Sequence, residues 1–466
     1  MTVPPRLQRL LADDGVPMRV ARAFEQAGFD LYLVGGSVRD ALMDRSRESL
    51  EFDFTTPARP DDIERVLGGI ARGVVTIGKE FGTIGGFVDD VPVEVTTFRS
   101  EIYRDDSRKP VVEFSDDLSE DLSRRDFSVN SMALRLLPEP EMIDPHGGLV
   151  DLGAGVLQTP LDPHVSFADD PLRMLRLYRF AATLGFTPDR VVEAAAEEMR
   201  ERLLIVSAER IRDELDRLIV GEHVVAGLEG IVRAGLADVF LPELPALGLQ
   251  QDPVHHHKDV LAHTIAVVAQ CPPDRITRLA ALFHDIGKPE TREFGEDGVS
   301  FHHHEVVGAR MTRARMRDLR YSKGDIAAVS GLVYLHMRPH TFKMGWTDRA
   351  VRRYVRDAGP LLDRLNTLVR CDVTTRNEKR ARQIRRRIDE LEERIAVLRE
   401  QEELDAIRPP IDGNRVMEIL DIPPGPTVGE VMDMLLEHRL DEGPYSQEEA
   451  ERLVREWAAR RDPTGP

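Results

Sequence analysis

Cysteine is almost absent from this sequence: Cys271 and Cys371 are the only two among 466 residues. Two thiols make no disulfide framework, which excludes a stapled secreted scaffold and fits a reducing, cytoplasmic setting. Long hydrophobic runs are missing too. No apolar stretch approaches the roughly 18 residues of a membrane span, and the opening MTVPPRLQRLLADDGV has no hydrophobic signal core, so no export is expected. Internal repeats are absent, and so is a basic excess. The net charge of −19 counts against a polyanionic partner. Binding, however, depends on local clusters rather than on the whole surface, and Arg124-Arg125, the series Arg173, Arg176, Arg179, and the run Arg376 to Arg387 are three of them. What remains, 41% hydrophobic and 31% charged, is the composition of a soluble globular protein, and the length calls for several domains.

The stretch Leu33 to Phe54, LVGGSVRDALMDRSRESLEFDF, organises the chain. An apolar run breaks at Gly35-Gly36, a helix is expected through Val38, Arg39, Ala41 and Leu42, and a strand carrying Glu51 and Asp53 follows. A glycine pair lets backbone approach a phosphate, with N–H donors at the helix start behind it. By itself it is more often just a tight turn. Glu51 and Asp53, two apart on a strand, share a face and suit a divalent metal.

Residues 1 to about 30 read as an amphipathic helical lead-in. From 31 to about 155 short β-rich runs such as GVVTIG, GTIGGFV and VPVEVTTF alternate with turns, which predicts an α/β head. From Asp169 to about Gly248 the periodicity is helical, and a second helical block from His255 to about Asn377 is marked by its histidines. Ile384, Ile388, Leu391, Ile395 and Leu398 form a short heptad stripe, better read as one long helix packed on a neighbour than as a coiled-coil dimer.

In VPVEVTTF, alternation puts Val91, Val93 and Val95 on one face and Glu94 on the other, so Glu94 is a candidate third carboxylate, the alternative being a solvated edge-strand acid. Two metals held by three carboxylates, about 3.5–4 Å apart, can activate an attacking hydroxyl and stabilise a leaving pyrophosphate. In DDPLRMLRLYRF, Arg173, Arg176 and Arg179 recur every third residue and are expected to share a helix face with Asp170. Stacked arginines repel unless anions sit between them. A carboxylate beside a guanidinium would accept cytosine and adenine, whose edges offer an amine donor next to a ring-nitrogen acceptor, and reject guanine and uracil.

The ordered set LVGGSVRD, EFDFTT, EVTTFR, RRDFSVNSMA, FADDPLRMLRLYRF and SAERIRDEL resembles the bacterial tRNA CCA-adding nucleotidyltransferase and poly(A) polymerase family, of the polymerase-β-like superfamily. The resemblance implies a nucleotidyltransferase head (1–155), a helical neck and body for base selection and RNA binding (156–250), an α-helical HD domain (251–380) and a helical tail with the long helix (381–466). It implies triphosphate contacts at Gly35, Gly36 and Arg39, Mg²⁺ at Glu51 and Asp53 with Glu94 as third catalytic carboxylate, and a nucleotide contact at Arg125. Asp170 and Arg173 match the base-selecting pair, with Arg176 and Arg179 in the same pocket. Ser207, Glu209 and Arg210 match a motif that mainly braces the neck. One position departs: the family has aspartate where this chain has Glu51, and an extra methylene moves the carboxylate by more than the roughly 0.5 Å that a catalytic constellation tolerates unless the backbone adjusts.

His263, His284-Asp285 and Asp372 are spaced like the H…HD…D ligand set of HD-domain metal phosphohydrolases, with His304 and His336 available for a second metal position. Imidazoles and carboxylates on packed helices suit Mn²⁺, Ni²⁺, Fe²⁺ or Mg²⁺ better than a structural zinc. That resemblance implies a phosphatase or phosphodiesterase acting on 2′,3′-cyclic or 3′-phosphate ends, with Lys288 meeting a phosphate. His146, His164 and His438, lone histidines, are read as surface or core residues.

The sequence thus points to a monomeric or dimeric enzyme that extends tRNA 3′ ends with CTP and ATP. Three alternatives remain: a poly(A), A-adding or CC-adding specialist, a phosphohydrolase with a weak transferase head, and an RNA-binding scaffold.

Overall fold

The computed structural model describes residues 1–45, 51–102, 111–249, 259–295, 298–339, 342, 345–374, 378–402 and 407–461. Parts of the sequence reading fall outside these: 46–50 within the organising stretch, His255 at the start of the histidine block, and Arg376 and Asn377. The chain divides into two compact units, Met1–Pro245 and Ala246–Pro466.

In the first unit a 3₁₀ turn, Pro5–Leu11, and helix α1 (Val16–Gln26) form the lead-in. Proline cannot donate in a helix interior, and Pro5 and Pro17 sit in the first turns, where no donor is needed. Strand β1 (Tyr32–Val34), helix α2 (Gly36–Leu42), β2 (Phe52–Thr56), α3 (Pro60–Gly68), β3 (Arg72–Val75), β4 (Thr83–Val88) and β5 (Val91–Thr97) follow. Strands β6 (Arg99–Ile102) and β7 (Val111–Phe114) pair with each other, helix α4 (Leu118–Ser123) comes next, and β8 (Ala133–Arg135) and β9 (Glu141–Ile143) return to the main sheet. That sheet is mixed, in the order β3-β4-β5-β2-β1-β8-β9.

The period-2 pattern explains the placement of β5. Val93 and Val95 are buried while Glu94 stands on the other face. Strand β5 lies between β4 and β2, so Glu94 is on an interior strand rather than an edge strand. Leu33, Val38, Phe54, Ile63, Leu67, Ile84, Val93, Val95 and Leu134 meet in one core with Val20 and Phe24 of α1.

Helices then take over, as the change of period requires: α5 (Gly148–Ala154), α6 (Pro163–Asp169), α7 (Leu172–Leu184), α8 (Arg190–Glu198), α9 (Ala208–Ile219), α10 (Val224–Arg233) and α11 (Leu236–Phe240). Asp162, Asp189 and Ser207 cap α6, α8 and α9 by accepting from backbone N–H groups one turn in. Helix α7 packs against α9 and α10, and the close approach needs Gly230, where a Cβ would come within 2.2 Å of Tyr178.

The second unit is helical: α12 (Val260–Gln270), α13 (Arg275–Phe283), α14 (His304–Asp318), α15 (Lys323–Leu335), α16 (Asp348–Ala358), α17 (Leu362–Cys371), α18 (Glu378–Glu402), α19 (Gly413–Leu420), α20 (Pro426–Glu442) and α21 (Gln447–Arg461), with a hairpin at 292–301. The heptad stripe lies on α18. Its Ile388, Leu391, Ile395 and Leu398 are buried, and the helix packs on α16 and α17. Helices α19 to α21 carry a core of their own around Val416, Val431, Leu435 and Val454. Among the described residues no helix is long and apolar enough to cross a membrane.

Candidate functional site

A cavity of about 430 Å³ in the first unit is lined by Gly35, Gly36, Arg39, Glu51, Asp53, Arg124, Arg125, Asp126, Asn130, Asp170, Arg173, Arg176, Arg179, Phe180 and Arg217. The glycine turn forms one end. Gly35 has φ 69°, open to glycine without strain, and a Cβ there would stand 3.4 Å from Arg125 Nη1 and 3.9 Å from Asp53 Oδ2. The turn therefore lies against both a cation and a carboxylate. Helix α2 behind it has only seven residues, so the positive field here comes mainly from the arginines rather than from a helix dipole.

Glu51 does not lie on the strand. It immediately precedes β2 and is exposed, and its backbone carbonyl accepts from Ser37 Oγ of α2 at 2.9 Å. Asp53 is on β2, directly opposite Glu94 in the parallel β2–β5 register. Crowding of the Glu94 carboxyl by surrounding atoms, and then the negative charges of Asp53 and Glu51, raise its pKa above the ordinary carboxylate value. A divalent cation between these oxygens would relieve that repulsion, although the carboxylate oxygens of Glu51, Asp53 and Glu94 do not all lie within 4.8 Å of one another here, so holding one requires them to draw together.

The arginines are aimed by acids that the sequence reading passed over. Asp121, fully buried on α4, accepts from Arg124 Nε at 3.0 Å, from Arg125 Nη2 at 3.2 Å and from Thr55 Oγ1 of β2 at 3.1 Å. Its burial alone would raise its pKa, but the two arginines outweigh this and hold it low. Asp126 accepts from Arg176 Nε and Asn130 Nδ2, each at 2.9 Å, and Asn130 Oδ1 accepts from Arg39 Nη1 at 2.6 Å. Glu214 of α9 takes Arg179 Nε at 2.8 Å and Arg176 Nη1 at 3.5 Å. Burial and the neighbouring Arg176 lower Arg179 to about 10, against the pull of Glu214. The anions that stacked arginines require are therefore Asp126 and Glu214, and the face is buried rather than solvated. Both acids lie inside quoted motifs, RRDFSVNSMA and SAERIRDEL, beside the arginines that drew attention there.

The expected juxtaposition of Asp170 with Arg173 needs correction. Asp170 precedes α7 in an extended conformation and so does not share the helix face. Its Oδ2 accepts from Arg210 Nη2 at 2.7 Å and its Oδ1 from the Leu172 N–H at 3.1 Å. Arg173 donates to Ser166 Oγ at 2.9 Å and to the Arg124 carbonyl. Both residues line the cavity, but each is held by a different partner. Ser207 caps α9, and Arg210 on that helix reaches Asp170.

In the second unit the histidine set converges. His263 and His284 approach Nε2 to Nε2 at 3.3 Å, and so do His304 and His336. Asp285 lies between the pairs, its Oδ2 3.2 Å from His284 Nε2 and its Oδ1 3.5 Å from His304 Nε2. Asp372 Oδ1 is 3.0 Å from His263 Nε2. The ring nitrogens facing away are engaged: Nδ1 of His284, His304 and His336 meets the carbonyls of Ala281, Phe301 and Val333 at 2.6–2.8 Å, and His263 Nδ1 meets Thr374 Oγ1 at 2.7 Å. With Nδ1 as donor, each ring in its neutral form turns an Nε2 lone pair inward, the tautomer a metal needs. His263, His284 and Asp285 form one possible ligand group, and Asp285, His304 and His336 form a second. Burial lowers His336 to about 3, whereas in His284 the charges of Asp285 and Asp372 overcome burial and raise the ring to about 10. The cluster thus draws positive charge to its centre, which suits a divalent cation. Lys288 Nζ donates to Asp285 Oδ2 at 2.7 Å, which leaves donors on the ammonium for a further acceptor. His164 is a surface residue paired with Glu198.

Comparison with known proteins agrees with this division. Residues 31–158 match the poly A polymerase head domain, 185–247 the "Probable RNA and SrmB- binding site of polymerase A", and 260–377 the HD domain. The chain is 32% identical to the A-adding tRNA nucleotidyltransferase of Deinococcus radiodurans over 91% of its own length and 95% of that protein's. It is 31% identical to the CC-adding tRNA nucleotidyltransferase of Thermus thermophilus over 93% and 95%. A CCA-adding enzyme of Bacillus velezensis is 38% identical, over 48% of this chain and 53% of the relative. The fold is similar to that of the Bacillus stearothermophilus CCA-adding enzyme solved with CTP, at TM-score 0.67 and 21% identity, covering 99% of this chain and 100% of that one.

Proposed function

Because the chain belongs to the bacterial tRNA CCA-adding nucleotidyltransferase and poly(A) polymerase family and is an RNA nucleotidyltransferase, we propose that it completes the CCA end of tRNA from CTP and ATP with Mg²⁺, releasing pyrophosphate. The observation that carries this reading is Asp53, which lines the arginine-walled cavity beside the Gly35 turn and stands in register with Glu94, a strand neighbour outside that lining.

Glu51, Asp53 and Glu94 would hold the metal, which when bound supplies activation of the tRNA 3′-hydroxyl and neutralisation of the leaving pyrophosphate. Arg39, fixed by Asn130, and Arg125, fixed by Asp121, bind the triphosphate and align its α-phosphate with the hydroxyl. Asp170 accepts the exocyclic amine of cytosine or adenine. Arg210 occupies one of its oxygens, and a carboxylate has lone pairs to spare for the base. Arg173 donates to the adjacent ring nitrogen. Arg176 and Arg179, neutralised by Asp126 and Glu214, form the rigid wall behind them.

In the second unit the two ligand groups sharing Asp285 fit a pair of divalent ions, Mn²⁺, Ni²⁺, Fe²⁺ or Mg²⁺. We assign to this centre a phosphohydrolase activity that trims 3′-phosphate or 2′,3′-cyclic phosphate ends which block nucleotide addition. The two buried free thiols suit the reducing cytoplasm in which tRNA would be met.

A narrower reading is favoured by one observation. Two relatives matched along nearly their whole length bear the names A-adding and CC-adding. Single-nucleotide reactions on tRNA lacking CCA and on tRNA ending in CC separate the readings. A complete CCA enzyme adds two C residues to the first and one A to the second. A specialist performs one of these reactions and fails in the other.

A further inference from the structure

Helix α18 starts as an arm. Over 378–387 no described side chain is buried, whereas from Ile388 onward Ile388, Leu391, Ile395 and Leu398 are all 5% exposed or less. The fully buried part of the stripe that seats the helix on α16 and α17 therefore begins ten residues in, with Ile384 half-buried ahead of it, and about 15 Å of helix precedes Ile388.

In a chain of net charge −19, that arm carries Lys379, Arg380, Arg382, Arg385, Arg386 and Arg387 against the single acid Glu378. Of the acids that follow, two are engaged by α17 and one by the arm itself. Asp389 pairs with Arg370 of α17 at 2.6 Å, Glu392 pairs with the same arginine, and Glu390 takes Arg386 at 2.9 Å. Glu378 reaches Arg382 only at 3.9 Å. Among the described residues, Lys379, Arg385 and Arg387 have no carboxylate partner. Lys379 and Arg382 stand three apart, and so do Arg382 and Arg385, close enough on a helix face to repel. A run of phosphates laid along them removes that repulsion, and guanidinium groups suit phosphate oxygens.

The position of the arm is as informative as its charge. Helix α17 ends at Cys371, next to the candidate ligand Asp372, and α18 begins at Glu378. Arg370, two residues before Asp372, pairs with Asp389, one turn along α18 from Arg385. The helix that carries these cations is thus tied to the end of α17, which leads into Asp372.

We propose that the first turns of α18 form an RNA-backbone contact belonging to the second unit, which holds an RNA 3′ end at the histidine–aspartate centre. The role given to that centre rests on the phosphohydrolase reading above; the RNA contact itself does not.

The test compares the full chain with the variant Lys379→Gln/Arg382→Gln/Arg385→Gln, whose changes are at exposed positions. Binding of a tRNA 3′-end stem ending in 2′,3′-cyclic phosphate is followed against salt. Each lost phosphate contact lowers the slope of log affinity against log salt by about 0.7–0.9. The variant is expected to lose roughly 2 from the slope and to raise KM for cyclic-phosphate release roughly tenfold with kcat unchanged. Turnover of bis(p-nitrophenyl) phosphate with Mn²⁺, which needs no RNA contact, should match in the two proteins. Unchanged RNA affinity and salt slope overturn the proposal and leave the basic face to an acidic protein or to solvent. A lower slope in a protein whose wild type turns over neither substrate keeps the RNA contact and overturns the assignment to a phosphohydrolase.

Discussion

Arg210 donates to Asp170 at 2.7 Å across forty residues of sequence, and so a side chain of α9 aims a carboxylate that lines the cavity and that we propose reads the base. Asp170 is mostly covered while Arg210 is about half exposed, so the pair adds little to stability and its effect falls on orientation. Replacing Arg210 with Ala should raise KM for both CTP and ATP by roughly tenfold, about the worth of one charge-assisted hydrogen bond, and should increase U and G misincorporation. Single-nucleotide kinetics with all four triphosphates measure this.

Glu51 and Asp53 should respond unequally. Glu51 is exposed and lies ahead of β2, so its longer side chain has room to fold back onto the metal position, whereas Asp53 is fixed on an interior strand opposite Glu94. Glu51→Asp should keep kcat within roughly fivefold of wild type, and Asp53→Asn should lower it by more than roughly a hundredfold. Steady-state CTP incorporation at saturating Mg²⁺ decides. Equal losses would mean that the two carboxylates are held alike.

Stability in acid should follow Asp126. Burial would raise its pKa, but Arg176, Asn130 and Arg179 hold it well below the ordinary carboxylate range. A depressed folded pKa stabilises the native state above the unfolded value of about 3.9 and loses that stabilisation as pH falls from there toward the folded value. Urea midpoints of the wild type should therefore fall from about pH 4 downward, and those of Asp126→Asn should fall less steeply while starting lower at neutral pH.

Metal content should follow the sharing of Asp285 between the two ligand groups. Elemental analysis after Mn²⁺ loading should give about two ions per chain in that unit, one for His336→Ala and none for Asp285→Asn. Asp53→Asn, introduced into each, separates any contribution from the head.

Much of this was readable from local patterns. Alternation placed Glu94 opposite the valine face, and the glycine break marked the turn that lies against Asp53 and Arg125. Spacing collected the six histidine and aspartate residues. Even their orientation has a local origin, because His284 and His336 each end a helix and bond the carbonyl three residues back. What could not be read is which charge meets which. Asp126 finds Arg176 fifty residues away, and Glu214 finds Arg179 thirty-five away, because α7, α9 and the segment after α4 pack together. The pairing of Asp53 with Glu94 likewise depends on the crossover through α3, β3 and β4, which sets a parallel register that no periodicity encodes. Asp170 and Arg173 looked like a pair because they are close in sequence, and the break before α7 gave them separate partners.

The most direct measurement sequences the 3′ ends of tRNA lacking CCA after incubation with the protein, Mg²⁺, CTP and ATP, beside an Asp53→Asn control. The account predicts ends extended by C, C and A with the wild type and unextended ends with the variant. Ends left without any added C by the wild type, or extended equally by the variant, would contradict it.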